Sequence, residues 1–466
     1  MSDALVTMVL HPLPAAGEAK PWEFPVPEHG ALANGFRVQR CHRPGQQVVA
    51  VEIALDAALD AEPEGLDGIA TIMVHALEEG CGPYSAEEFA AELERCGATI
   101  GSRVDYIGAR ISMEVPASRL ARALGLLAEA LRAPRFAASE VERLVRNRLD
   151  EIPHELASPP RRAAKQLAAE LFPASSRMSR PREGTEDTVA RIDAAGVRAF
   201  YDAHLRPGTA TAVVVGDLAG VELDRMLADT IGEWTRPVAP PSSTPSTTAE
   251  DTGRVVIVDR PGAVQTQLLV GRTGPDRRDP VWPALVVGTY CLGGTLTSRL
   301  DRVLREEKGY TYGVRAFAQV LRSPAAAADG AAGTSLLAIS GAVDTASTAP
   351  ALADMQKVLR TLAAEGLTDA ERDLAVQNLV LVAPLRYETA AAVAGTLADQ
   401  VEQHLPDNYQ AQLYKRLAAT STTAATEAAV AAFPADGLVT VLVGDAAQIR
   451  GPVEALGMGG VSVVTS

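Results

Sequence analysis

The 466-residue chain has little of what would tie a protein to a disulfide scaffold, a membrane or a nucleic acid. Its four cysteines, Cys41, Cys81, Cys96 and Cys291, are too few for a disulfide framework at this length. None stands in a CxxC pair that would mark a metal clip, so they read as reduced structural thiols. No stretch approaches the ~18 uninterrupted apolar residues of a membrane span. The opening MSDALVTMVLHPLPAAGEAK lacks the basic region and apolar run of a secretory signal. A cytoplasmic protein with no membrane partner is expected. Positive charge is short as well: 43 Lys+Arg against 58 Asp+Glu leave −15. Without a clustered basic stripe, that balance excludes nucleic acid as the main partner and suits basic or neutral peptides better.

What is plentiful is apolar. With 47% hydrophobic residues the chain can bury a large core, which excludes an acidic disordered protein, and its length calls for two or three domains. The stretch TRPVAPPSSTPSTTAEDTGR, residues 235–254, carries Pro, Ser and Thr in place of any hydrophobic period and reads as a linker. Domains are therefore expected at 1–234 and 255–466. Each half closes on a related phrase, ATAVVVGDL at 210–218 and LVTVLVGDA at 438–446, a buried strand followed by Gly-Asp. Val213 and Val441 stand 228 residues apart, about half the chain, and the surrounding order of elements repeats. An internal duplication is the natural reading.

Asn34-Gly35 marks a tight turn, VVAVEIALDA a strand and ATIGSRVDYIGARISMEV a hairpin, with two or three helices over 117–172. From Asp67 to Gly80, Ile69, Ile72, Met73, Ala76 and Leu77 fall at helical spacing, with Asp67 as N-cap and Gly80 as stop. Ser85 caps the next helix. In the second half LTSRLDRVLREEKG reads as a helix burying Leu296, Leu300, Val303 and Leu304 and stopping at Gly309. Strands grouped in hairpins with paired helices between them predict an α+β fold of sandwiches, not a doubly wound sheet. The Gly-rich phrase DGAAGTS at 329–335 lacks the Lys of a phosphate loop and reads as a flexible loop.

On the Asp67–Gly80 helix, the face opposite the apolar stripe carries Thr71, Val74, His75 and Glu78. GIATIMVHALEEG resembles the zinc helix of the inverted zincins, the pitrilysin, insulinase and mitochondrial processing peptidase family. Their pattern is His-x-x-Glu-His followed by a distant Glu, with two imidazoles one turn apart on Zn²⁺ and the Glu activating water. Here Thr71 replaces the first His and Val74 the Glu; only His75 matches. Valine cannot accept a proton, and losing one imidazole breaks the clamp. A metal set built from His75, Glu78 or Glu79 and Glu151, which lies near the distal spacing, stands against the reading of His75 as a helix histidine among solvated glutamates, and the latter is preferred. No metal is assigned to this chain.

The segment LGGTLTSRLDRVLREEKGYTYGVRA resembles the same family's second-domain motif, a helix ending Arg-Glu-x-x-Gly followed by a strand Tyr. The matching residues are Arg305 and Tyr312. Spacing alone leaves two readings open: Arg305 caps its own helix and Tyr312 packs in a sheet, or the two converge to supply donors for a developing oxyanion. The resemblance, which runs from the Asn34-Gly35 hairpin through LRYETAAAVAGTLADQVEQHLPDNY to the closing VLVGDA, favours the second. It implies two homologous α/β sandwich domains, mostly antiparallel sheet with helices on one face, forming half of a clam-shell chamber. It also implies the non-zinc subunit of a heterodimeric metallopeptidase: Arg305 and Tyr312 act as catalytic and substrate-binding residues, Zn resides in a homologous partner, and the substrate is a processing or leader peptide. The alternative is an inert scaffold subunit, like the peptidase-derived cores of respiratory complexes.

Overall fold

The computed structural model describes residues 22–236, 253–322 and 333–465. The N-terminal residues 1–21, most of the expected linker (237–252) and residues 329–332 of the Gly-rich phrase lie outside the described residues.

Two six-stranded sheets organise the chain. The first is built from β1 (Glu28–Ala31), β2 (Arg37–His42), β3 (Val48–Leu55), β4 (Thr99–Val104), β5 (Ala109–Pro116) and β6 (Thr211–Gly216), in the order β1-β2-β6-β3-β5-β4. The second uses β7 (Arg254–Asp259), β8 (Gln265–Gly274), β9 (Thr311–Arg322), β10 (Thr334–Asp344), β11 (Val439–Gly444) and β12 (Gly460–Val464), in the order β12-β7-β11-β8-β10-β9. Remove β1 and β12 and the two orders coincide, strand for strand. Only β6 beside β2, and β11 and β12 beside β7, run parallel; the other pairings are antiparallel. The fold is the expected α+β pair of mostly antiparallel sandwiches. β12, which no strong sequence signal announces, is the addition.

In β6 and β11 every residue is buried. A continuous apolar strand of this kind needs cover on both faces, and it has it. Helices of each half pack on one face of their own sheet; the other face takes a helix from the opposite half. After α1 (Ile69–Ala76), α2 (Ala86–Cys96), α3 (Leu120–Arg132) and α4 (Ala138–Ala157), helix α5 (Pro159–Leu171) lies against β8 and β11 of the second sheet. Reciprocally, helix Ala390–Glu402 lies against β3 and β6 of the first. The alternation of strand side chains divides the apolar residues accordingly. Val49, Val51 and Ile53 join one core, while Ala50, Val213 and Val215 join the other with Val393 and Leu397. At roughly 1.5–3 kcal/mol per fully buried aliphatic side chain, these exchanged helices bind the two halves firmly.

Local details depart from the sequence reading: α1 ends at Ala76, with Leu77 as C-cap, four residues short of the expected stop at Gly80. Leu296 is not a core residue of the second-half helix but lies before it, 50% exposed, because the helix begins only at Arg299. Asp67 does not cap α1: Gly68 is the N-cap, in the left-handed region, and Glu62 accepts hydrogen bonds from the Gly68 and Ala70 amides at 2.9 and 3.0 Å. Asp67 is instead buried against Arg180 (2.6 Å) and Arg177 (3.3 Å). An acidic group reaching in from Glu62 serves the same orphan amides that a local cap would serve. The Ser85 cap is observed, completed by Glu88 into a capping box. All four cysteines are buried and unpaired. Burial pushes the Cys81 and Cys291 thiols up to about 12, as befits inert structural thiols.

Candidate functional site

Two regions carry the expected chemistry. The first is α1, packed on β4, β5 and α4. Thr71 and Val74 are buried in this packing, Val74 fully, so the helix positions where the zinc pattern places a ligand and a base are part of the core. His75 keeps access to water. The wall around its ring disfavours the imidazolium and lowers its pKa, against the pull of Glu183, Glu151 and Glu79.

Glu151, at the distal spacing, is held by a cation of the chain itself. The buried Arg148 guanidinium lies 3.4 Å from Glu151, 2.8 Å from Glu155 and 3.2 Å from Glu183, and its Nε donates to the Glu183 carbonyl at 3.1 Å. Arg161 adds a second contact to Glu155 at 2.5 Å. Among the described residues no group of three or more His, Cys, Asp or Glu side chains is placed to hold a metal ion. His75 and Glu151 are two ligands where a catalytic zinc site needs three and a base. The residues present do not fit zinc, and Arg148 supplies the positive charge among the carboxylates.

The second region joins helix to strand. The helix starts at Arg299 and runs from Arg302 to Glu307 as a π-helical segment, with Lys308 N donating to Val303 O at 3.1 Å. Gly309, at φ 68°, turns the chain, and Tyr310 N returns to Leu304 O at 2.9 Å. This is the C-terminal stop expected at Gly309. π segments are rare and recur at functional sites. Arg305 sits in the segment, partly exposed, and its Nη1 lies 2.5 Å from Glu306.

Tyr312 follows at the start of β9, an edge strand, and is 93% exposed. A β-bulge puts it there. Thr311 stands opposite Val343 and Val314 opposite Gly341, so Tyr312 and Gly313 together face the single residue Ala342. Such an extra residue re-aims a side chain out of the pleat. Thr311 Oγ1 fixes the bulge, accepting from Gly313 N and donating to Gly313 O, both at 3.1 Å. Asp301, fully buried, ties the bulge to the helix: its Oδ1 accepts from Val314 N at 2.8 Å and its Oδ2 pairs with Arg315.

The structure thus brings Arg305 and Tyr312 to the two sides of one anchored turn, although among the described residues no hydrogen bond joins them. The Tyr312 side chain, though on a strand, is not packed against the sheet. Asp301 escaped the sequence reading because an acidic residue in LTSRLDRVLREEKG looks like part of a solvated face. The only signal was its place beside Leu300, one step from the buried stripe.

Comparison with known proteins gives these sites a context. The sequence pattern described as "Insulinase (Peptidase family M16)" matches residues 37–182, and the one described as "Peptidase M16 inactive domain" matches residues 191–379. A Mycobacterium tuberculosis protein named an uncharacterized zinc protease is 26% identical over 375 residues, 79% of this chain and 82% of its own. A Mycobacterium leprae protein of the same description is 25% identical over 352 residues, 75% of this chain and 76% of its own. The solved structure of a peptidase M16 inactive domain from Pseudomonas fluorescens superposes with TM-score 0.79 at 22% identity, over 90% of this chain and 98% of that one. A protease from Helicobacter pylori superposes with TM-score 0.81 at 17% identity, over 90% and 100%. These two likenesses are likenesses of fold. No helix among the described residues is long and apolar enough to cross a membrane.

Proposed function

The chain belongs to the insulinase family of peptidases, M16, and from that premise we propose that it is the non-zinc subunit of a two-subunit metallopeptidase. The observation that carries the reading is the bulge at Tyr312. A tyrosine turned into solvent seven residues after Arg305, on a turn pinned by a buried aspartate, is costly to build into a mere scaffold. The loss of base and ligand at Val74 and Thr71 supports the other half of the reading: the hydrolytic metal site resides in a homologous partner.

In this role the chain completes a peptide-binding chamber. The Arg305 guanidinium and the Tyr312 hydroxyl donate hydrogen bonds to the carbonyl oxygen of the scissile bond. Both donors strengthen as that oxygen takes negative charge on attack by water. A guanidinium offers N–H donors and a phenol an O–H donor, so both groups can address the same oxygen. The partner supplies zinc and the general base. The substrate is an extended peptide of the processing or leader type, met in the cytoplasm.

The test is reconstitution. This chain, the zinc-bearing homologue and their mixture are assayed on unstructured peptides. Cleavage by the mixture alone, lost on Arg305→Ala, is the expected result. Cleavage by this chain alone overturns the reading. A mixture whose activity is indifferent to Arg305→Ala and Tyr312→Phe makes the chain a scaffold.

A further inference from the structure

Between α4, α5, the segment 178–187 and strands β9 and β10 lies a cleft of about 740 Å³. That is within the range of sites that take a small ligand or a few residues of a peptide. Its apolar lining includes Ile152, Phe172 and Leu321. Six arginines and lysines line it against four carboxylates, on a chain whose net charge is −15. The local sign is opposite to the global one.

The pairing within the cleft sharpens this. Arg148 and Arg161 are occupied by Glu155, and Arg148 also by Glu183; Arg180 is occupied by Asp67. Glu186 and Asp187, the remaining carboxylates, belong to the separate short helix Glu186–Val189. On α5, Arg162 and Lys165 line the cleft with no side-chain partner among the described residues. Arg182 lies over the Tyr106 ring at 5.4 Å.

The position of these cations on the helix is the second observation. The first turn of α5, behind Pro159 and Pro160, has no acidic residue and holds Arg161 and Arg162. Cations there oppose the helix dipole, whose positive end disfavours them. A sequence serving helix stability alone would place Asp or Glu at these positions. Dipole, Arg162 and Lys165 instead add to one positive wall beside an apolar surface.

We infer that this cleft binds the carboxylate of a peptide, with a neighbouring apolar side chain on the Ile152–Phe172–Leu321 surface and the charge against Arg162 and Lys165. This rests on the reading of the chain as a peptide-binding subunit and names the peptides it prefers, acidic and apolar ones. The carboxylate comes from an internal Asp or Glu or from the peptide's own C-terminus, and the two are separable.

Four N-acetylated Ala/Leu decapeptides are titrated into the full chain by calorimetry at low salt. One has a central Glu and an amidated end, one a central Gln and a free terminal carboxylate, one a central Gln and an amidated end, and one a central Lys and an amidated end. One carboxylate peptide is expected to bind about fivefold to tenfold more tightly than the neutral one, and which of them does so identifies the source. The advantage shrinks with added salt as the Debye length falls below ~10 Å. Arg162→Glu with Lys165→Glu abolishes it; Arg162→Gln with Lys165→Gln, gentler on folding, reduces it toward parity. Equal binding of all four, preference for the Lys peptide, no binding, or a preference that survives both double variants overturns the assignment. The reconstituted cleavage assay is independent. If the mixture fails to cleave while the charge preference and its loss hold, the subunit reading falls and the cleft stands; the reverse pattern condemns only the cleft.

Discussion

Tyr312 holds its hydroxyl in solvent and packs on almost nothing, so removing that hydroxyl tests chemistry without touching stability. In the reconstituted peptidase Tyr312→Phe is expected to lower kcat by about 10²-fold, as loss of one oxyanion donor does, with unfolding free energy unchanged within about 0.5 kcal/mol. Steady-state kinetics and urea unfolding on the same preparation read both. A loss confined to KM would make Tyr312 a uniform binding contact instead. Glu78, at the end of the degenerate helix, offers a pH test. Burial, with Glu79 adding, pushes its carboxyl from 4.5 up to about 7. The folded chain therefore binds this proton more tightly than the unfolded one, and stability present at acidic pH is lost as pH rises from about 4.5 towards 7. Water at the partly buried group cuts the effect to about 1 kcal/mol. Glu78→Gln should stabilise by about that amount at pH 8 and by almost nothing at pH 4, measured by chemical denaturation. At this scale the sequence was informative where a residue stands alone. Val74 excludes a base by its chemistry, whatever the fold. Asp301 was hidden because its meaning lies in the Val314 amide and the Arg315 guanidinium, which only the folded turn brings to it.

The helix and strand around Asp301 show why elements were easier to find than to finish. Apolar spacing located the helix, and Gly309 its end. An extra residue in a π segment or a bulge leaves no mark on a pattern of period 3.6 or 2, yet these two irregularities decide where Arg305 and Tyr312 point. The same limit applied at α1, where Asp67 has the chemistry of an N-cap but is drawn off by Arg180, and Glu62 takes its place from six residues away. Asp301→Ala tests the strand–helix tie. It leaves the Val314 amide buried without its acceptor and Arg315 without its pair, and should cost about 2–4 kcal/mol. Asp301→Asn keeps one acceptor and should cost about half as much. Both should also lower kcat of the reconstituted enzyme by releasing the bulge, an effect that a merely local loss of stability would not produce in the fully folded fraction.

Across the whole molecule the duplication was legible because it is written in contiguous residues: β6 and β11 begin at Thr211 and Val439, the same 228 residues apart as the two Gly-Asp phrases. What binds the halves together was not, since it joins residues nearly 300 positions apart. Helix Ala390–Glu402 presents the Gly395 carbonyl, Asp399 and Glu402 on one face, and Arg110 of β5 meets all three. Nη1 donates to the carbonyl at 3.1 Å, while Nη2 lies 2.8 Å from Asp399 and 2.5 Å from Glu402. Nε closes a bidentate fork on Glu402 at 2.7 Å. Arg103 supports from the rim at 3.1 Å. In a strand pattern Arg110 reads as a solvent-facing charge; in the structure it and Glu402 are both almost wholly buried. Removing one partner strands the other's charge in the core, so Arg110→Ala should cost about 3–5 kcal/mol. The double variant Arg110→Met with Glu402→Leu fills the same space without charge and should recover most of that loss. Urea unfolding followed by two probes, tryptophan fluorescence and far-ultraviolet dichroism, separates the possible roles. Coincident transitions in the wild type that split in Arg110→Ala and merge again in the double variant make this contact the coupling between halves. A single variant that loses less than about 1 kcal/mol and stays cooperative would leave that coupling to the exchanged helices and their apolar faces alone.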